Sequence, residues 1–426
     1  MRKTKKLILA LCMLLTVAGC NVNSDSKYEN SSAANMETVS GNAPSEKEIH
    51  ILDINRSTLY ESEWSEQYGV TLVESEYSAV LLSDKDAKNY PELAAVLSGI
   101  AANQKSNMKE EYDTLIALAK EKIAYGTDGF ETLVSVNDSQ VRRADNIVLS
   151  VLTDSYLDNG IIRGYRGFWG SNYDTETGKE LLFTDVVTDV DKFANAVENK
   201  LFSTMGKNAF YSETVIKDYF KNYVADGLHW TIDYNGVTVY FSEREITDAS
   251  IGAVTITFAD YPELFKEKYA VVPNAYIVEL PMKTAFYADF DNDKSYEALT
   301  VSDQYDGENN YHATVDICMG ENTYTESFWA YGCEPYYVKT ADGRQYVYLF
   351  AELETQMYLY VYNIVGEMIS KVGEVNVTPY YNDGLSTVLT DPDNMHFEIY
   401  NKGTGGGVSE QNAFFSVGSD GLPSKR

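Results

Sequence analysis

The stretch Ala288–Leu299 reads ADFDNDKSYEAL. A hard cation such as calcium takes oxygen ligands from loop positions one, three, five, seven and nine, the seventh usually through a backbone carbonyl. Asp289, Asp291, Asp293, Ser295 through its carbonyl, and Glu297 supply that order. Four acids within nine residues repel one another unless a counter-ion sits among them. Lys294 stands where such loops carry a left-handed glycine, a substitution that costs on the order of 1 kcal/mol. The pattern predicts a structural calcium ion that fixes a strand junction, with a dissociation constant of roughly 10⁻⁴ to 10⁻³ M. The competing reading is a solvated acidic turn between two strands.

Little else in the chain has the residue types that catalysis needs, and no catalytic residue is assigned. There is no G-x-S-x-G elbow, and neither G-x-x-x-x-G-K-[ST] nor G-x-G-x-x-G is present to cradle a phosphate. The four histidines, His50, His229, His312 and His396, lack metal-ligand spacing. With 64 Asp and Glu residues, picking a carboxylate pair as glycosidase acid and base discriminates nothing. The formal charge of −30 argues against nucleic acid and favours cationic partners, whether metal ions, basic peptides or basic proteins. Cys318 and Cys333 lie fifteen positions apart, a spacing open to a hairpin disulfide or to two small buried hydrophobes on different strands.

Several elements must position these groups. Met1–Lys6 carry four cations, and the apolar run Leu7–Ala18 is too short to span a bilayer, which marks residues 1–19 as a signal peptide. Val17-Ala18-Gly19-Cys20 resembles the lipobox of bacterial lipoproteins, which implies that Cys20 is lipidated and ties the chain to the outer face of the cell membrane. That lipid is the expected contact with the bilayer, and it leaves a mature charge of −34. Residues 20–48, rich in Ser, Asn, Glu and Lys, form a disordered linker. The remaining residues, about 380, hold enough apolar side chains for two or three domains.

Residues 49–282 read as an α+β unit, an antiparallel sheet with helices. Met108, Tyr112, Leu115, Ile116, Ala119 and Ile123 recur at helical spacing, and Pro91 suits a first turn, so one or two core-facing helices lie between Tyr90 and Ala124. Phe193, Val197 and Leu201 predict another helix, as do Ile216, Tyr219, Phe220 and Tyr223. Trp230 and Ile232, then Val237, Val239 and Phe241, flank Asn235-Gly236, which favours a tight primed hairpin turn. Residues 283–426 read as an all-β domain, propeller-like or sandwich-like, whose alternating Tyr346, Tyr348 and Phe350, and Tyr358, Tyr360 and Tyr362, suit exposed faces where the hydroxyl meets water. Asp-Gly turns at Asp342-Gly343 and Asp420-Gly421 punctuate its strands.

Two segments carry a resemblance. GSNYDTETGKELLFTDVV from Gly170 and WTIDYNGVTVYFSEREITDASIGAVTITFADYPELF from Trp230 are similar to a pair of domains of unknown function. That pair occurs in the extracellular part of the lysozyme-responsive anti-sigma factor RsiV and beside the catalytic domain of PdaC-type peptidoglycan deacetylases. The resemblance covers roughly Ile49 to Met282. The deacetylase's metal chemistry needs an Asp and two His in its catalytic domain, and the four histidines here lack that spacing, while the expected lipid anchor replaces the anti-sigma factor's cytoplasmic segment and transmembrane helix. FYADFDNDKSYEALTV resembles the calcium loop of FG-GAP-type propellers. These likenesses imply a non-catalytic surface module for a cell-wall-associated ligand, namely a glycan, a muropeptide or a basic protein such as lysozyme. The alternative is an enzyme or accessory of wall metabolism with an unidentified carboxylate site.

Overall fold

The apolar stripe between Tyr90 and Ala124 becomes one continuous helix, Pro91–Ile123, with Pro91 in its first turn and the short helix Asp84–Asn89 before it. The computed structural model describes residues 49–426 except 163, 249–250, 307–308, 354–356, 380, 383 and 403–407. The leader, Cys20 and the linker lie outside the described residues. The long helix buries Leu93, Leu97, Met108, Tyr112, Leu115, Ala119 and Ile123 against one face of a seven-stranded sheet. In spatial order its strands are Tyr381–Asn382, Leu385–Val388, Ile54–Ser65, Val70–Leu82, Leu133–Ala144, Val148–Asp158 and Tyr165–Asp174. All neighbours are antiparallel but one: Val70–Leu82 and Leu133–Ala144 run parallel because the helix carries the chain back between them. No described helix is long and apolar enough to cross a bilayer.

Helices Val190–Met205, capped by the Asp189 carboxylate on the Lys192 amide, and Val215–Tyr223 pack on a three-stranded sheet of Trp230–Ile232, Gly236–Phe241 and Gly252–Thr257. Its first hairpin departs from the expected primed turn. Asp233 and Gly236 are joined by a backbone hydrogen bond, so the turn residues are Tyr234 and Asn235, and neither they nor Gly236 has positive φ. Tertiary packing decides this. Tyr234 is buried, its ring stacks on Tyr276 at 4.1 Å, and its hydroxyl accepts from the Ala144 amide. Gly236 is needed for a close approach instead, since a Cβ there would lie 2.3 Å from the Ile256 carbonyl oxygen.

The second half is strand and turn. A four-stranded sheet (Phe286–Ala288, Glu297–Asp306, Asn309–Met319, Asn322–Trp329) stacks on one face of an eight-stranded sheet. The larger sheet runs Pro423–Lys425, Val408–Val417, Met395–Lys402, Met368–Pro379, Met357–Val365, Gln345–Glu352, Gly332–Lys339 and Tyr276–Glu279. Both faces of its central strands are covered, which corrects the expectation for the tyrosines. Tyr346, Tyr348, Phe350, Tyr360 and Tyr362 are buried. The Tyr362 hydroxyl donates to Glu326 at 2.8 Å, so a protein acceptor replaces water.

Cys318 and Cys333 are separate thiols. Ile317 and Met319 face the core between the sheets, so alternation turns Cys318 to the outer face, where Thr323 donates to its sulfur. Cys333 lies on the larger sheet against that same core, where burial pushes its thiol up to about 12.

Strands cross the boundary expected between Met282 and Lys283 in both directions: Tyr276–Glu279 pairs with Gly332–Lys339, and Leu385–Val388 pairs with Ile54–Ser65. Residues 49–426 accordingly form one unit. Buried ions tie its sheets together. A bulge at Val141/Arg143 gives consecutive arginines separate tasks. Arg142 grips the Asp233 carboxylate at 3.1 and 3.2 Å and donates to the Glu279 carbonyl at 2.6 Å. Arg143, fully buried, pairs with Asp145 at 2.7 Å and donates to the carbonyls of Tyr269 and Val271. Removing one partner of such a pair leaves an uncompensated charge. Arg143→Met is therefore expected to lower unfolding free energy by about 3–5 kcal/mol in urea titration. Gly236→Ala is expected to cost about 1–3 kcal/mol in the same measurement, through displacement of the Ile256 strand.

Candidate functional site

The acidic stretch folds as the loop between strands Phe286–Ala288 and Glu297–Asp306. Phe290 anchors it by packing into the inter-sheet core against Tyr337. From the larger sheet, Gln345 donates to the backbone carbonyl of Asp289 at 3.0 Å while accepting from the Tyr337 hydroxyl at 2.6 Å. Carboxylates then hold backbone amides: Asp289 accepts from Lys294, Asp291 from Asp293, Asp293 from Ser295, and Glu297 from Phe290. Asn292 and Lys294 both take left-handed φ, 65° and 74°, so Lys294 adopts the glycine-like conformation despite its Cβ.

Three of the predicted ligands are brought together. Oxygens of Asp289, Asp291 and Glu297 lie within 4.8 Å of one another, and Asp289 Oδ1 is shut away from solvent with no hydrogen-bond donor. Asp293 stands outside that group, its Oδ1 engaged by the Ser295 amide, and Ser295 is exposed. A divalent ion fits the triad's chemistry, since hard cations take carboxylate oxygens and relieve their mutual repulsion.

A second surface was not singled out in the sequence. The seven-stranded sheet is covered by the long helix on one face, where Tyr77 and Ser75 are buried. On its other face, register places Tyr60, Glu76, Val136, Tyr156 and Arg166 in one row across five strands. Tyr60 is 60% exposed and Tyr156 38%. Trp64 is exposed on the same face, because its neighbour Glu63 reaches Lys120 on the helix side at 3.0 Å. Glu76 is held above the usual carboxylate range by partial burial, then by Asp138 and Glu352, while Arg56 pulls it down. At the end of the row, Arg166 is paired with Asp154 at 2.8 Å. The surface is thus aromatic with an excess of carboxylates. Period-two alternation from Tyr60 to Trp64 was the available signal; only the strand register shows that the row spans the sheet.

The histidines have structural partners. Each histidine packs on a different aromatic ring: His50 on Tyr90, His229 on Trp169, His312 on Trp329 and His396 on Phe414. Burial pushes His229 down to about 4. Glu279 receives Arg56 at 2.6 Å and the Val141 amide, and burial keeps its carboxyl above the usual range.

No family model and no curated protein matches the chain. Among solved structures it is similar to a member of the DUF3298 family from Bacteroides fragilis, with a TM-score of 0.36 and 15% identity over 51% of this chain and 94% of that one. It is also similar to a DUF3298 family protein from Pseudomonas aeruginosa PAO1, with a TM-score of 0.33 and 15% identity over 53% of this chain and 98% of that one.

Proposed function

We propose that this chain is a lipid-anchored, extracytoplasmic binding module, held to the outer face of the cell membrane through Cys20, that recognises a cell-wall-associated ligand: a glycan, a muropeptide or a basic protein such as lysozyme. The observation that supports this reading is the open row Tyr60, Glu76, Val136, Tyr156 and Arg166, flanked by Trp64. Aromatic side chains offer large contact areas with few torsions to freeze. The carboxylates beside them favour a cationic partner, in keeping with the charge of −30. The alternative, an enzyme of wall metabolism, needs a carboxylate free to move protons. Asp145, Asp233 and Glu279 at the sheet junction are each engaged by an arginine, and Glu334 beside them, pushed up to about 7 by desolvation, is the acid that the enzymatic reading would use.

A structural calcium ion held by Asp289, Asp291 and Glu297 belongs to the same proposal. Its role is to stiffen the loop between two strands, since the loop is already tied to the larger sheet through Gln345.

Binding of the full chain to muropeptides and to lysozyme is expected to be saturable without turnover. Tyr60→Ala and Tyr156→Ala are each expected to weaken binding by about 2 kcal/mol at unchanged melting temperature. Release of a cleaved wall product by the unsubstituted chain would move the conclusion to the enzymatic reading. With a dissociation constant near 10⁻³ M, 10 mM calcium is expected to add about 1.4 kcal/mol of stability. The rise in melting temperature should vanish in Asp291→Ala, and an unchanged curve for the unsubstituted chain would retire the metal site.

A further inference from the structure

Four hairpin turns gather at one end of the stacked sheets and border an open cavity of about 500 Å³, inside the ~300–1,000 Å³ range of small-ligand sites. They are the acidic loop, the turn after Lys339, the turn around Gly366 and the turn from Gly418 to Leu422. Val365 and Val372 form the apolar wall, with the buried Tyr346 ring beneath them, while Asp291, Arg344, Asn363 and Asp420 supply polar groups. The turns are tied to one another, so the cavity exists without a ligand to assemble it. Arg344 Nη1 donates to the Gly418 carbonyl at 2.7 Å and to the Tyr346 hydroxyl at 3.1 Å, and its Nε donates to Asp342 at 2.8 Å. Gln345 fastens the acidic loop to the same strand. Prior ordering of this kind removes much of the entropic cost of binding.

The polar groups set the ligand's chemistry. Arg344 donates, Asp420 accepts, and the Asn363 amide does both. A wholly apolar ligand would desolvate these groups without replacing their hydrogen bonds. An anionic ligand would meet Asp420 and, on the loop, Asp293, which stays outside the carboxylate triad, against one guanidinium. A sugar hydroxyl both donates and accepts, and the C–H faces of a pyranose suit an apolar wall. We infer that this cavity is a binding subsite for a neutral saccharide, separate from the row on the seven-stranded sheet. The inference rests on the reading of the chain as a binding module and names one ligand class and its place.

The test is calorimetric titration of the full chain with trisaccharides of glucose, N-acetylglucosamine and galacturonate. At least one neutral trisaccharide is expected to bind saturably, and the galacturonate at least roughly ten-fold more weakly. Asn363→Ala removes a polar group. Ser419→Trp, at an exposed turn position, plugs the mouth without touching the core. Each is expected to weaken binding at least roughly ten-fold at unchanged melting temperature. Equal binding by both variants, or equal binding of galacturonate, would overturn the assignment and leave the binding-module reading intact. The assignment falls in the same way if no neutral trisaccharide binds although the chain still retains muropeptides or lysozyme. Loss of all of these would overturn both.

Discussion

Arg142 and Arg143 reach in different directions from one bulged strand, and each meets acceptors on other elements. Arg142 joins the seven-stranded sheet to Asp233 at the three-stranded sheet and to the Glu279 backbone at the edge of the eight-stranded sheet. Arg143 closes onto Asp145 and the carbonyls of Tyr269 and Val271. A guanidinium removed from water is tolerated only when its donors are taken up in good geometry. Small displacements of one sheet against another would leave charges or carbonyls unmatched, so the three sheets hold a single mutual arrangement. Arg56 on Glu279, with the Val141 amide on the same carboxylate, extends this junction.

That junction decides which surfaces remain for function. The long helix closes one face of the seven-stranded sheet, and the junction closes the near part of the other. The far part stays open, and there Tyr60, Trp64 and Tyr156 meet solvent. At the eight-stranded sheet the outcome is reversed. Its tyrosine ladders are enclosed by the four-stranded sheet on one side and by Met395, Phe397 and Phe415 on the other, so they support the fold instead of offering a surface. What the sheet offers is its end, where turns are free to vary while the strands beneath them are rigid.

The acidic loop and the cavity share Asp291, which lines the cavity and also belongs to the carboxylate triad. The loop is bound to the scaffold from below by Phe290 and Gln345, so its acidic side chains are held at the rim. The conformation relies on left-handed φ at Asn292 and Lys294, a local strain that the side-chain-to-amide hydrogen bonds of Asp289, Asp291 and Asp293 offset.

Local periodicity was enough to place the helices Pro91–Ile123, Val190–Met205 and Val215–Tyr223, the alternating strands and the spacing of the acidic loop, because each depends on neighbours a few residues away. The primed turn at Asn235-Gly236 failed because Tyr234 has a buried stack and a hydroxyl partner that outweigh local turn preference. The tyrosine ladders were misplaced because alternation shows which residues share a face, not whether another sheet covers it. Cys318 and Cys333 had suitable spacing, yet the pleat sends one outward and the other into the core. The open row and the turn-lined cavity were illegible for the same reason: their residues come from strands and turns far apart in sequence. Sequence determined the period, charge and loop chemistry of each segment. Tertiary structure decided burial, register and convergence, since these follow from desolvation and pairing between segments that no local pattern encodes.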